Sequence, residues 1–264
     1  MINIVRSELT KAYTLPRVQV VTAALVLLFL AIQPGSSDTY REVAAGVDAN
    51  QMVLDAGQLT DAATVLIGYV SASTLNAGLL LPILGAVIGG AEFRHGQLGL
   101  SVVAVPNRRR LVVGKVLATG LVASGISMLF SLISSVVAWF AIKDWNPGLL
   151  VSPNMLTAHA RLLLFCLTIT LISLGVTLVA RRTLIGIIVS VVLIMLTMTQ
   201  VVALVSPAVD ALLPWSASRN LLLQDVFNGV PLTGSALHGG AVLTCWVMLI
   251  VIASVIIIQR RDAR

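Results

Sequence analysis

The sequence predicts an all-α membrane protein with six transmembrane helices and both termini in the cytoplasm. Three observations predict it. The 264 residues are 58% hydrophobic and only 11% charged. Six apolar segments, roughly 18–33, 62–91, 116–142, 162–180, 184–206 and 240–259, contain no charged residue. About 20 helical residues, at about 1.5 Å each, cross a hydrocarbon layer of about 30 Å. Finally, the basic residues are lopsided. Arg6, Lys11, Arg17, Arg94, Arg108, Arg109, Arg110, Lys115, Arg181, Arg182, Arg260, Arg261 and Arg264 flank one side of the segments, against Arg41, Lys143, Arg161 and Arg219 on the other. The positive-inside rule puts the richer side in the cytoplasm, which makes the plasma (inner) membrane the expected location.

A net charge of +6 could suggest nucleic acid, but these residues sit at helix ends, where they anchor the chain to anionic headgroups; no nucleic-acid partner is expected. A single membrane domain over 1–264 is expected, with no second soluble domain.

Residues 1–16 are too polar to span. Ile2, Val5, Leu9 and Tyr13 recur at helical spacing opposite Arg6, Glu8 and Lys11, the pattern of an amphipathic helix lying on the membrane surface. It reads either as an interfacial anchor or as a contact surface for a cytoplasmic partner. Pro16 suits its end. The first span lacks a small-x-small cleavage site and is expected to be retained, with Arg17 snorkelling to the interface.

An outer loop is expected over 34–58. The second apolar run exceeds the bilayer's need, so its outer end should be tilted or broken. Within it Gly78, Pro82, Gly85 and Gly89 stack at steps of four, three and four, a face for close helix packing; Pro82 keeps a hinge open as the other reading. Spans four and five are joined by little beyond Arg181, Arg182 and Thr183, which forces antiparallel neighbours. The outer stretch 207–239 carries Leu212, Leu213, Trp215, Leu221 and Phe227, too apolar for a solvated loop; re-entrant or capping helices explain it. Cys166 and Cys245 fall inside spans and read as unpaired.

Some chemistry is missing. Gly114–Lys115 is followed by Val116 and lacks the upstream glycine of a phosphate-binding loop. His95, His159 and His238 lie at three separate span boundaries and form no zinc-protease motif. No span carries a titratable group of the kind a proton relay needs, which disfavours an ion-coupled transporter. The chain is therefore not expected to be an enzyme. Its neutral polar residues, such as Ser71, Ser73, Thr74, Ser131, Ser134, Ser135 and Thr199, read first as interhelical hydrogen bonders.

A membrane domain with no nucleotide site and no coupling ion must borrow its energy, which directs attention to 92–115. There Glu92, Arg94, Gly96, Leu98, Pro106, Arg108, Gly114 and Lys115 resemble the loop between spans two and three of type-2 ABC transporter permeases; Gln97 stands where that family has Thr. Glu8 and Lys11 in the first helix, and Leu213-Pro214-Trp215 before the last span, are also similar to that family.

The resemblance implies an exporter whose 92–103 loop docks into a separate ATP-binding subunit, with Glu8, Glu92, Arg94, His95 and Gly96 in the coupling contact. It further implies two permeases, as a homodimer or heterodimer, with two ATPase copies. ATP and Mg²⁺ would belong to those subunits and no cofactor to this chain. The cargo path would run between spans two and five, carrying Asn76, Thr197 and Gln200, and would suit a hydrophobic or amphipathic drug, antibiotic or lipid. From a different class, the alternative is a non-transporting membrane anchor or sensor subunit.

Overall fold

The computed structural model describes residues 1–55, 57–93, 99, 103, 105, 107–223 and 232–260. Helix α1 (Ile2–Thr14) is joined by Leu15 alone to α2 (Pro16–Ala45). Leu15 is extended at φ −76°, ψ 115°, and Pro16 begins the new helix at a position where its missing N–H costs nothing. The expected loop over 34–58 is mostly structured. Helix α2 continues through Pro34 to Ala45, and an antiparallel hairpin follows, β1 (Met52–Asp55) with β2 (Gln58–Asp61), Met52 opposite Asp61. An apolar cluster explains why: Tyr40, Val43, Val53, Leu66, Ile142 and Met155 close together beneath the hairpin, and Trp145 donates its indole N–H to Gln51 at 2.8 Å.

Helix α3 (Ala62–Ala77) starts where the Asp61 carboxylate accepts from the Thr64 N–H at 2.8 Å. The second apolar run is indeed broken, but in its middle rather than at its outer end. A 3₁₀ turn, Gly78–Leu80, separates α3 from α4 (Leu81–Gly90). Pro82 is the physical reason, since it can return no hydrogen bond to the carbonyl one turn earlier. The Ser173 hydroxyl then binds the Pro82 carbonyl at 2.5 Å.

Helix α5 (Arg108–Ile142) is capped by Asn107 and α6 (Pro153–Ala180) by Ser152, whose side chains accept from Arg110 N and Met155 N. Helix α6 is the hub. Gly85 lies so close to the Thr170 carbonyl that a Cβ would collide with it, and Gly89 faces Leu174 and Thr177, so the small-residue stripe of α4 packs on α6. Arg181 turns the chain at φ 57° into α7 (Thr183–Met198), which returns beside α6; Gly186 abuts Thr177.

The expected span over 184–206 is not one helix. Helix α7 stops at Met198, Gln200 is left-handed at φ 55°, and a short α8 (Val201–Val205) follows. Two more short helices, α9 (Pro207–Asp210) and α10 (Pro214–Leu222), precede α11 (Ala236–Arg260). The apolar character of this stretch is accounted for in α10: Trp215 is buried and meets the Phe165 ring edge-on at 6.0 Å, and Gly239 of α11 lies against the Ala217 carbonyl. Residues 224–231, which include Phe227, lie outside the described residues.

Among the described residues five helical runs are long and apolar enough to cross a membrane: Pro16–Ala45, Ala62–Phe93, Arg108–Ile142, Pro153–Ala180 and Ala236–Arg260. Helix α7 is apolar but has only 16 residues. The molecule is a predominantly helical, multi-pass membrane protein. Cys166 is buried and Cys245 exposed, both unpaired.

Candidate functional site

Four charged side chains meet where three parts of the chain converge. Glu8 and Lys11 lie one turn apart on α1, Glu92 sits in the 3₁₀ turn Ala91–Phe93 that ends the α4 run, and Lys115 is in the second turn of α5. Lys11 Nζ lies 2.9 Å from Glu8 Oε1 and 3.2 Å from Glu92 Oε1. Lys115 Nζ lies 2.5 Å from Glu8 Oε2 and 2.9 Å from Glu92 Oε1. Each ammonium thus bridges both carboxylates, and the four groups form a closed ring of alternating sign.

Three of the four are buried: Glu8 at 5%, Glu92 at 2% and Lys115 at 4% exposure. Stripping water from a lone charge costs several kcal/mol, so such burial persists only with close partners. The local packing brings them together. Gly114 admits Ile4 where a Cβ would collide, which sets α1 flat on α5 directly before Lys115. Gly90 makes room for Thr183, which fixes the end of α4 against the start of α7. Lys11, half-exposed, has its ammonium pulled down by burial but pushed up further by the Glu8 hydrogen bond and by the Glu92 and Glu8 charges; the balance leaves it above its ordinary value of 10.5.

The coupling residues expected from the sequence separate into two groups. Glu8 and Glu92 are brought together, but they face inward onto Lys11 and Lys115 rather than outward. Arg94, His95 and Gly96 lie outside the described residues. Sequence reading passed over the pairing role of Lys11 and Lys115. The available signal was partial: Glu92 and Lys115 stand at the edges of apolar runs and Glu8 and Lys11 on the polar arc of the interfacial helix, so all four were placed near the membrane interface. Arg108 also turns inward, donating from Nη1 to the Ile258 carbonyl at 2.9 Å and tying α5 to the end of α11, whereas Arg109 and Arg110 are exposed.

The expected cargo-path residues are dispersed in character. Asn76 is exposed near the end of α3. Thr197 is buried, and its hydroxyl donates to the Leu193 and Ile194 carbonyls of its own helix at 3.0 and 2.9 Å. Thr197 and Gln200 do not share a helix face, because the helix ends between them and Gln200 has turned left-handed. Several other neutral polar groups also bond within their own helices: Ser71 to Ile67, Thr74 to Ser71 and Thr199 to Met195. Others do cross between helices: Tyr40 to Ser73 at 3.3 Å, Ser135 to His159 at 3.4 Å, Ser173 to the Pro82 carbonyl and Ser254 to the Gly175 carbonyl at 3.2 Å.

The chain matches no protein-family model and no curated protein sequence.

Proposed function

We propose that this chain is the membrane-spanning permease subunit of an ATP-driven exporter of the type-2 ABC kind, with ATP hydrolysed by a separate subunit docked at the Glu92 end. The observation that carries the reading is the Glu8–Lys11–Glu92–Lys115 ring. It joins the first helix, the root of the 92–103 loop and the head of α5. A push on that loop from a nucleotide-driven partner would therefore move α1 and α5 as one body, the kind of rigid transmission that domain motion requires. Within this reading Glu8 and Glu92 act as positioning residues, and contact with the ATPase falls to the loop beyond Glu92, where Arg94, His95 and Gly96 stand in the sequence.

The rest of the proposal follows from the same arrangement. The Glu92 end faces the cytoplasm, α7 with α8 completes six spans, and α9 and α10 form the re-entrant outer segment. Two copies, or one copy with a sister permease, enclose an apolar path between the α3–α4 run and α7. Exposed Leu184, Ile188, Val191 and Met195 along α7 support a face for the second permease. Asn76, Thr197 and Gln200 border that path, and the cargo is a hydrophobic or amphipathic compound.

The test is purification from native membranes followed by reconstitution with whatever ATP-binding polypeptide accompanies the chain. Ethidium or a fluorescent phospholipid should raise the ATPase rate and accumulate across the vesicle membrane. Glu92→Gln should lose most of that stimulation while the complex still co-purifies. An ATPase rate indifferent to every cargo would instead mark a non-transporting anchor or sensor subunit.

A further inference from the structure

Arg161 stands two turns into α6 at the hairpin end of the molecule, just past Met155 and Ala158 of the apolar cluster beneath the hairpin. It is half-buried, and among the described residues it makes no hydrogen bond or ion pair. Carboxylates are not scarce at this end. Asp38 pairs with Arg41 at 3.6 Å, Asp55 accepts from the Tyr69 hydroxyl at 3.0 Å, and Asp61 caps α3. None of them is bonded to Arg161, which leaves its planar fork of N–H donors partly dehydrated and without a carboxylate.

Arg161 lines an open pocket of about 630 Å³ between α6, the end of α10 and the start of α11. Asn220, Thr233 and Ser235 line it too, and among the described residues no acidic side chain does. Their hydrogen bonds show what remains free. Asn220 is 2% exposed; its amide oxygen accepts from the Thr233 N–H at 3.2 Å, and its amide nitrogen donates to the Thr233 hydroxyl at 3.3 Å, with a second N–H to spare. The Ser235 hydroxyl oxygen accepts from the His238 N–H at 3.2 Å, which leaves its own O–H uncommitted. Asp210, the carboxylate of this network, accepts from the Thr233 hydroxyl at 3.3 Å, is buried, and does not line the pocket. The pocket thus combines a guanidinium, an amide N–H and a hydroxyl, all donors, with a single positive charge. A space with surplus donors and no carboxylate is complementary to a small oxyanion. We infer that this pocket binds a phosphate-class oxyanion, free in solution or as a lipid headgroup, with Arg161 as its principal contact.

Anion binding needs neither a second subunit nor ATP, so its failure would leave the transport reading untouched. Ala236 offers a second handle on the site. It lines the pocket in the first turn of α11, where a carboxylate favours the helix. Glutamate there would set a negative charge in the lining and oppose an anion without weakening the fold. Arg219, half-buried on α10 but outside the pocket lining, supplies a matched control for charge alone.

The experiment is isothermal titration calorimetry of the delipidated full chain in an uncharged detergent at fixed ionic strength. One arm uses inorganic phosphate and the other the soluble lipid dihexanoyl phosphatidic acid. Binding in both arms marks recognition of the phosphate group itself, binding of phosphate alone a free-ion site, and binding of the lipid alone a headgroup site. Arg161→Gln should weaken whichever ligand binds by roughly tenfold or more, the worth of one charge-assisted hydrogen bond. Ala236→Glu should weaken it comparably, and Arg219→Gln should bind as the wild type does. Circular dichroism identifies a variant that fails to fold; if that is Arg161→Gln, Ala236→Glu decides. Absence of binding in both arms overturns the inference. So does undiminished binding by a folded Arg161→Gln or Ala236→Glu chain, or an equal loss in Arg219→Gln, which would reduce the effect to diffuse charge.

Discussion

Lys115 is the residue on which the ion ring depends most. It is buried at 4% exposure and touches both carboxylates, whereas its counterpart Lys11 is half-exposed. Lys115→Ala leaves two buried carboxylates sharing one partly hydrated ammonium, and the expected loss is about 3–5 kcal/mol. Thermal unfolding in detergent measures it. Combining Lys115→Met with Glu92→Leu should cost less than the sum of the two single changes, since the double replacement strands less charge. Lys11 contributes a pH dependence of definite sign. Its folded-state pKa lies above the ordinary 10.5, so the stability it supplies is fully present below that value and disappears as pH rises through the higher one. Unfolding curves should thus show no Lys11-dependent change between pH 6 and 9 (about three units of safely protonated range), and a loss at strongly alkaline pH that Lys11→Met abolishes.

Among the elements, α4 and α6 approach closely, backbone against backbone, and glycine permits it. A side chain at Gly85 would meet the Thr170 carbonyl, a backbone atom that cannot rotate away. Gly85→Val is therefore expected to force the helices apart at a cost of at least about 1–3 kcal/mol, read as a lower denaturation midpoint in an SDS titration. Gly125→Ala, facing open space, should be neutral or slightly stabilising in the same assay.

Elements of this kind were legible in advance to differing degrees. The Gly78–Gly89 stripe announced its packing through spacing alone, because stacked small residues have one dominant use inside lipid. The hairpin and the extension of α2 were not legible. Pro34, Gly35, Ser36 and Ser37 carry turn composition, yet tertiary contacts from Tyr40 and Val43 override that propensity and keep the helix running. The end of α7 was hidden for the opposite reason: residues 184–206 are uniformly apolar, and hydrophobicity cannot report a left-handed residue such as Gln200.

At the scale of the whole molecule, the contacts sort the chain into two ends that agree with the distribution of charge. Lys11, Lys115 and Arg108 gather with Glu8, Glu92 and the last turn of α11 at one end. The hairpin, Trp145 and the start of α6 gather at the other. Thirteen of seventeen basic residues belong to the first end by sequence order. In a Cys245→Ala background, a cysteine replacing exposed Leu54 on the hairpin should react with an impermeant maleimide in intact cells. One replacing Arg109 should react only after permeabilisation. The reverse pattern would turn the molecule over and remove the basis for a cytosolic partner. The buried charges at the Glu92 end were half legible in the sequence: their types and their places near the membrane interface could be read, but their closure depended on α1 folding back across α5, which no local pattern encodes.

Because the ring contains two positive and two negative members, its net charge is zero and its field dies away within a short distance. Mobile ions gain little by entering it, so added salt should leave the joint between α1, α4 and α5 intact while it strips the exposed arginines from anionic headgroups. A protein fastened in this way can change its grip on the surrounding bilayer with ionic conditions and still keep its internal linkage unaltered.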